Sequence, residues 1–127
     1  MQKEQMIKTI IFVAQNWHKS RKKAEKKLSE ILPFFSQCQQ CKDSFIGKDI
    51  FWIVEEVKKG LLIKRYETDL FSVCCLKCFF DRGLKKKAYY SIVVKQASGR
   101  VLSTGFSGPN AVAIHQFTME LSAPEEL

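Results

Sequence analysis

Four cysteines stand in two matched pairs, Cys38-Gln39-Gln40-Cys41 and Cys75-Leu76-Lys77-Cys78. Two intervening residues bring both sulfurs of a pair within reach of one metal ion. Two such pairs complete a four-thiolate tetrahedron, the usual coordination of structural zinc. One Zn2+ held by Cys38, Cys41, Cys75 and Cys78 is therefore expected. Four thiolates leave no coordination position for water or substrate, so such an ion folds the chain and does not activate a nucleophile. Cys74 adjoins the second pair, and the spacing leaves open whether Cys74 or Cys75 is the ligand. The unused one is expected to pack as a small buried apolar residue. The alternatives are a reduced, metal-free core or a redox pair, and neither pair lies in a recognisable βαβ unit as a redox site would.

The elements around the cysteines follow from periodicity. Met6, Ile7, Ile10, Ile11, Ala14 and Trp17 recur every three or four residues, and Ala24, Leu28, Ile31 and Leu32 resume the stripe. One long helix over residues 4–32 is expected, ended by Pro33. Ile50 to Val54 is aromatic and β-branched, a strand composition. Lys58-Lys59-Gly60 reads as a turn and Leu61 to Tyr66 as the return strand. A short helix opens near Cys75 and stops at Gly83. Tyr89 to Lys95 and Arg100 to Phe106 form a second hairpin through Gln96-Ala97-Ser98-Gly99. Pro109 suits a first helical turn, and Ala111 to Leu121 a final amphipathic helix with Val112, Ile114, Phe117 and Leu121 as its apolar face.

A cysteine pair on a turn, a hairpin, and a cysteine pair opening a helix resemble the treble-clef zinc fingers. The residues carrying this resemblance are Cys38, Cys41, Phe45, Cys75 and Cys78, within residues 34–83. Zinc ribbons also use such pairs, with both on hairpin turns. The superfamily includes nucleic-acid binders, protein adaptors and nucleases, so the resemblance implies a metal-held fold and leaves function open. The fold class expected is α+β: a long N-terminal helix packed on a treble-clef-like zinc finger, followed by a β-hairpin and a C-terminal helix. The chain is read as a single domain, with a basic helix in 1–33, the finger in 34–83 and the hairpin and helix in 84–123.

Catalytic look-alikes fall short. A nuclease of the HNH type needs a histidine base near the hairpin, and none lies between His18 and His115. Residues Gly99 to Phe106 resemble the early hairpin of deoxycytidylate deaminases, but Phe117 stands where the proton-shuttling glutamate belongs, and no cysteine follows Cys78. The chain is expected not to be an enzyme.

Charge points to the partner. The net charge is +8, which favours a polyanion. Residues 1–35 hold eight Lys or Arg against three Glu, and no acid lies between Arg82 and Met119, so the excess is concentrated on either side of the finger. Nucleic acid is the leading partner. Arg21, Lys22, Lys23, Arg82, Lys85, Lys86 and Lys87 are the expected phosphate contacts, with Trp17 and Tyr90 as base stackers. The runner-up is an adaptor, regulator or inhibitor that docks a larger complex, possibly a nucleic-acid-processing one, through surplus aromatics around the finger; a homo-oligomer is a further option. A membrane-surface role for the basic helix ranks below both. No secretory leader is legible and five cysteines leave one unpaired, so an intracellular location, cytoplasmic or nucleoid/nuclear, is expected.

Overall fold

The computed structural model describes residues 2–59, 65–82, 87–108 and 110–123. The element order is α1 (Lys3–Asn16), α2 (Arg21–Ile31), β1 (Ile50–Lys59), β2 (Arg65–Cys74), α3 (Leu76–Asp81), β3 (Ala88–Lys95), β4 (Val101–Gly108) and α4 (Ala111–Ser122). The class is α+β, with helices at the N- and C-terminal ends of the described chain.

The expected single helix over 4–32 is instead two helices. Asn16 turns its Nδ2 back onto the Phe12 carbonyl, 2.9 Å away. The Ser20 N–H closes onto Asn16 O at 2.8 Å, and the Ser20 backbone leaves helical geometry before α2 begins. A straight helix over that span would be about 43 Å long, more than a ten-residue strand at about 33 Å. The break folds α2 beside α1, so Ile10 and Val13 share one core with Ala24, Leu28 and Ile31. Pro33 acts as expected: α2 stops at Ile31 and a short 3-10 turn, Leu32–Phe34, carries the proline.

The four strands form one antiparallel sheet in the order β2-β1-β3-β4. The two expected hairpins are thus fused by β1–β3 pairing, which runs from Ile50↔Lys95 to Val57↔Ala88. Phe51, Trp52, Ile53 and Val54 are all fully buried. Helices cover both faces of β1, which explains its unbroken apolar run. One face carries Trp52 and Val93 under α1, where Ser103 Oγ donates to Ala14 O at 3.3 Å and Phe35 meets Trp52 edge-on at 6.0 Å. The other carries Phe51 under α3 and α4, with Phe79 stacked on Phe51 at 4.7 Å and Phe117 edge-on to Phe79 at 6.0 Å.

Both strands of the first hairpin exceed their expected lengths, β2 running on to Cys74 with a register shift opposite Glu55/Glu56. The expected turn at Lys58-Lys59-Gly60, the start of the return strand at Leu61, the helix stop at Gly83 and the role of Pro109 lie wholly or partly outside the described residues. Helix α4 forms where expected, capped by Asn110 Oδ1 accepting from Ala113 N at 3.1 Å. Val112 is a correction: it is 67 % exposed, and Phe117 is the residue of α4 that reaches the core.

Candidate metal centre and basic surface

The first cysteine pair sits on a knuckle. Gln37 and Ser44 bridge its two arms, and Cys38 N donates to Asp43 O at 2.8 Å while Lys42 N returns to Cys38 O at 3.0 Å. Lys42 takes a left-handed conformation, φ 67°, to close so tight a loop. Buried Phe45 anchors the knuckle to the core. Gln39 then fastens it to β2: its N–H donates to Val73 O at 3.1 Å, and its Oε1 accepts from Val73 N at 3.0 Å. This places Cys38 and Cys41 against the end of β2, from which Cys75 caps α3 and Cys78 lies in the first turn of that helix.

The four sulfurs of Cys38, Cys41, Cys75 and Cys78 all lie within 4.8 Å of one another, and the group could hold a metal ion. Cys41 Sγ and Cys75 Sγ are 3.7 Å apart. A tetrahedral ion bonded to sulfur at about 2.3 Å sets its ligands about 3.8 Å apart. The choice between Cys74 and Cys75 is resolved by the fold. Cys74 ends β2 opposite Phe51 and is fully buried outside the cluster, while Cys75 faces the other three sulfurs.

The electrostatics of the cluster call for a cation. Burial opposes ionisation of Cys38, but the backbone N–H groups of Cys41, Cys75 and Gln40 outweigh it and hold this thiol down at about 6. At Cys41 the Asp43 backbone favours the thiolate, yet desolvation and the Cys38 and Cys75 sulfurs leave the pKa raised. Cys78 is raised as well, by burial first and then by the same neighbouring sulfurs. Thiolates this close repel one another, so the set cannot ionise together without a positive ion among them. Cys74 is pushed up to about 12, chiefly by burial, and stays a neutral thiol.

No protein-family model matches the chain, and neither does any curated protein or solved structure.

The expected nucleic-acid residues do not come together as one site. Arg21, Lys22 and Lys23 are exposed on α2, and Lys87 is exposed just before β3. Lys85 and Lys86 lie outside the described residues. Arg82 is half-buried, with Nε and Nη1 shielded from solvent and without a hydrogen-bond partner among the described residues. The two expected stackers are corrected. Trp17 is 5 % exposed, wedged at the α1–α2 break with the Arg21 guanidinium over its ring at 4.2 Å. Tyr90 is fully buried and its hydroxyl donates to Glu55 Oε2 at 2.9 Å. Neither ring face is open to a base.

What the sequence reading left out of the expected contacts is the rest of the α2 face. At 100° per residue over α2, Ala24, Leu28 and Ile31 make the core stripe, while Lys22, Lys23, Lys26 and Lys27 spread over an arc of about 140° turned away from it, which also holds Glu30, and Lys19 is exposed in the turn before α2. Among the described residues the only ion pair is Lys48–Asp43, so none of these five lysines is neutralised there. The i, i+4 recurrence of Lys19, Lys23 and Lys27 beside Lys22 and Lys26 was the signal for this face.

Proposed function

We propose that the protein is a non-catalytic binder of nucleic-acid phosphates, built on a treble-clef-like centre that holds one structural Zn2+. The zinc reading is supported by the four-sulfur geometry and by the order of knuckle, hairpin and capped helix. The observation that carries the binding reading is the outward lysine arc of Lys22, Lys23, Lys26 and Lys27 on α2, with exposed Lys19 in the turn before it, all free of ion pairs among the described residues. With Trp17 and Tyr90 buried, this surface has no stacking platform, so it tracks the backbone without reading sequence.

The test is fluorescence anisotropy with labelled duplex and single-stranded oligonucleotides over a salt series. Five phosphate contacts on a duplex give a log–log salt slope of about −4.5, which is a loss of roughly 500-fold between 50 and 200 mM salt. Lys22→Glu/Lys23→Glu/Lys26→Glu leaves two contacts and a slope near −1.8. An unchanged slope in the triple variant removes α2 from the interface.

A second reading, docking to a protein, draws on the exposed apolar residues Val112 and Met119, one heptad apart on the outer side of α4, at 67 % and 60 % exposure. Binding of that kind would be indifferent to salt and sensitive to Met119→Ser.

A further inference from the structure

Strand β4 ends the sheet order and pairs only with β3. A cleft of about 930 Å³ runs along it, bounded by the consecutive residues 99–105. Since both inward- and outward-pointing residues of one strand line it, the cleft opens onto the backbone edge and not onto one face of the sheet. One wall is α2, through Glu25, Leu28 and Leu32; the other is α4, through Ala113, Gln116 and Phe117. No backbone hydrogen bond beyond the β3 ladder reaches residues 101–108 among the described residues.

The opposite edge shows the contrast. On β2 the outward N–H and C=O of Val73 are both taken by Gln39, and the strand carries a register shift. Strand β4 has none of these protections. Its pairing with β3 is unbroken from Ala88↔Gly108 to Lys95↔Val101, and Val101 to Gly108 contains neither a proline nor a charge. A regular, uncharged, walled edge is a template for strand addition.

We propose that this cleft binds an extended, acidic segment of a partner protein, which adds to the sheet as a fifth strand beside β4. The five strand residues that line the cleft, 101–105, span about 17 Å, enough for a segment of about five residues. Leu32 on the α2 side and Ala113 and Gln116 on the α4 side, which are not buried, meet its alternate side chains. Arg21, Lys95 and Arg100 outnumber Glu25 and Glu120 around the cleft, so acidic residues in the segment are matched. The concave shape selects a bare strand. The β4 edge of a second copy would arrive flanked by its own α2 and α4, and those walls would collide with these. The lysine arc points elsewhere on α2, so this inference is independent of the phosphate-binding reading.

The test is selection of a displayed random twelve-residue peptide library on the zinc-loaded full-length protein, followed by synthesis of the enriched peptides. Enriched peptides are expected to be acidic and to shift the backbone amide signals of residues 101–107 in NMR spectra. N-methylation of alternate peptide bonds, in the register that faces β4, is expected to weaken them at least tenfold, and Lys95→Glu several-fold. Failure to enrich any peptide overturns the proposal, as does equal binding by both N-methylated registers. Concentration-dependent dimerisation that shifts the same β4 amides without peptide overturns it in favour of a second copy.

Discussion

Stripping the proposed Zn2+ should loosen two segments and leave the sheet standing. The knuckle, residues 36–48, has almost no core of its own beyond Phe45 and Cys38. Ordering thirteen residues costs about 20 kcal/mol at about 1.5 kcal/mol each. Burying Phe45 returns about 2 kcal/mol. The six hydrogen bonds made by Cys38 N, Gln39 N, Lys42 N, Phe45 N, Lys48 N and Val73 N return about 6 more at about 1 kcal/mol apiece. The shortfall of about 12 kcal/mol lies within the about 10–16 kcal/mol that a structural zinc site supplies. By contrast β1 and β3 are buried on both faces under α1, α3 and α4, mostly by apolar residues other than the four cysteines. The assay is hydrogen exchange by mass spectrometry on reduced protein before and after a zinc chelator. Protection should vanish in residues 36–48 and fall in α3, while β1 and β3 keep theirs. Loss of protection throughout the sheet would refute this division of labour. So would an unchanged knuckle.

Three further outcomes can be checked on single variants. Cys74→Ala should keep one zinc per chain by native mass spectrometry, whereas Cys75→Ala should lose it, because only Cys75 faces the other sulfurs. Cys74 has its folded pKa raised to about 12 against 9.0 for the free thiol, so its contribution to stability is complete below pH 9 and is lost as pH rises towards 12. Denaturant melts across that window should fall less steeply with pH in Cys74→Ala than in the parent. Gly105 lies beneath Tyr89, and a methyl there runs into the tyrosine ring and Oη. Tyr89 is 37 % exposed and its ring can swing aside, so Gly105→Ala should cost no more than about 1 kcal/mol in urea melts, and most of that cost should disappear in a Tyr89→Ala background.

The elements legible in the sequence were those whose pattern is local. The paired cysteines announced the cluster, because ligand spacing is a covalent constraint that tertiary context cannot change. The second hairpin and α4 were legible for the same reason: turn residues at Gln96 to Gly99 and the Asn110 cap act on their immediate neighbours. The helix break at Trp17 to Ser20 was not, since the apolar stripe continues through it in phase and only packing against the sheet demands the fold-back. Nor was the β1–β3 pairing, which joins strands more than thirty residues apart and depends on β1 being apolar on both faces. The stacking roles of Trp17 and Tyr90 failed through the same blindness. An aromatic beside a basic run reads identically whether its ring faces solvent or the core, and the Tyr90–Glu55 bond that settles it joins residues on neighbouring strands.

The two sheet edges are finished by different means, and the cysteine cluster belongs to that difference. At β2 the knuckle lies across the free edge through Gln39, and the knuckle is held in place by the same sulfurs that grip the start of α3. The cluster thus does more than fold a small loop: it keeps Val73, at one end of the β2 edge, paired. Losing the proposed metal should free Val73 N–H and C=O along with the knuckle, and that end of β2 would then be open as well as β4. Aggregation on chelation should therefore proceed through β2 and not β4. Gln39→Pro, which removes the backbone donor to Val73 at a position outside the ligand set, should reproduce much of that aggregation with the zinc content unchanged. Light scattering alongside zinc analysis separates the cases, and a Gln39→Pro protein that keeps its zinc and stays monomeric as well as the parent would show that the metal guards no edge.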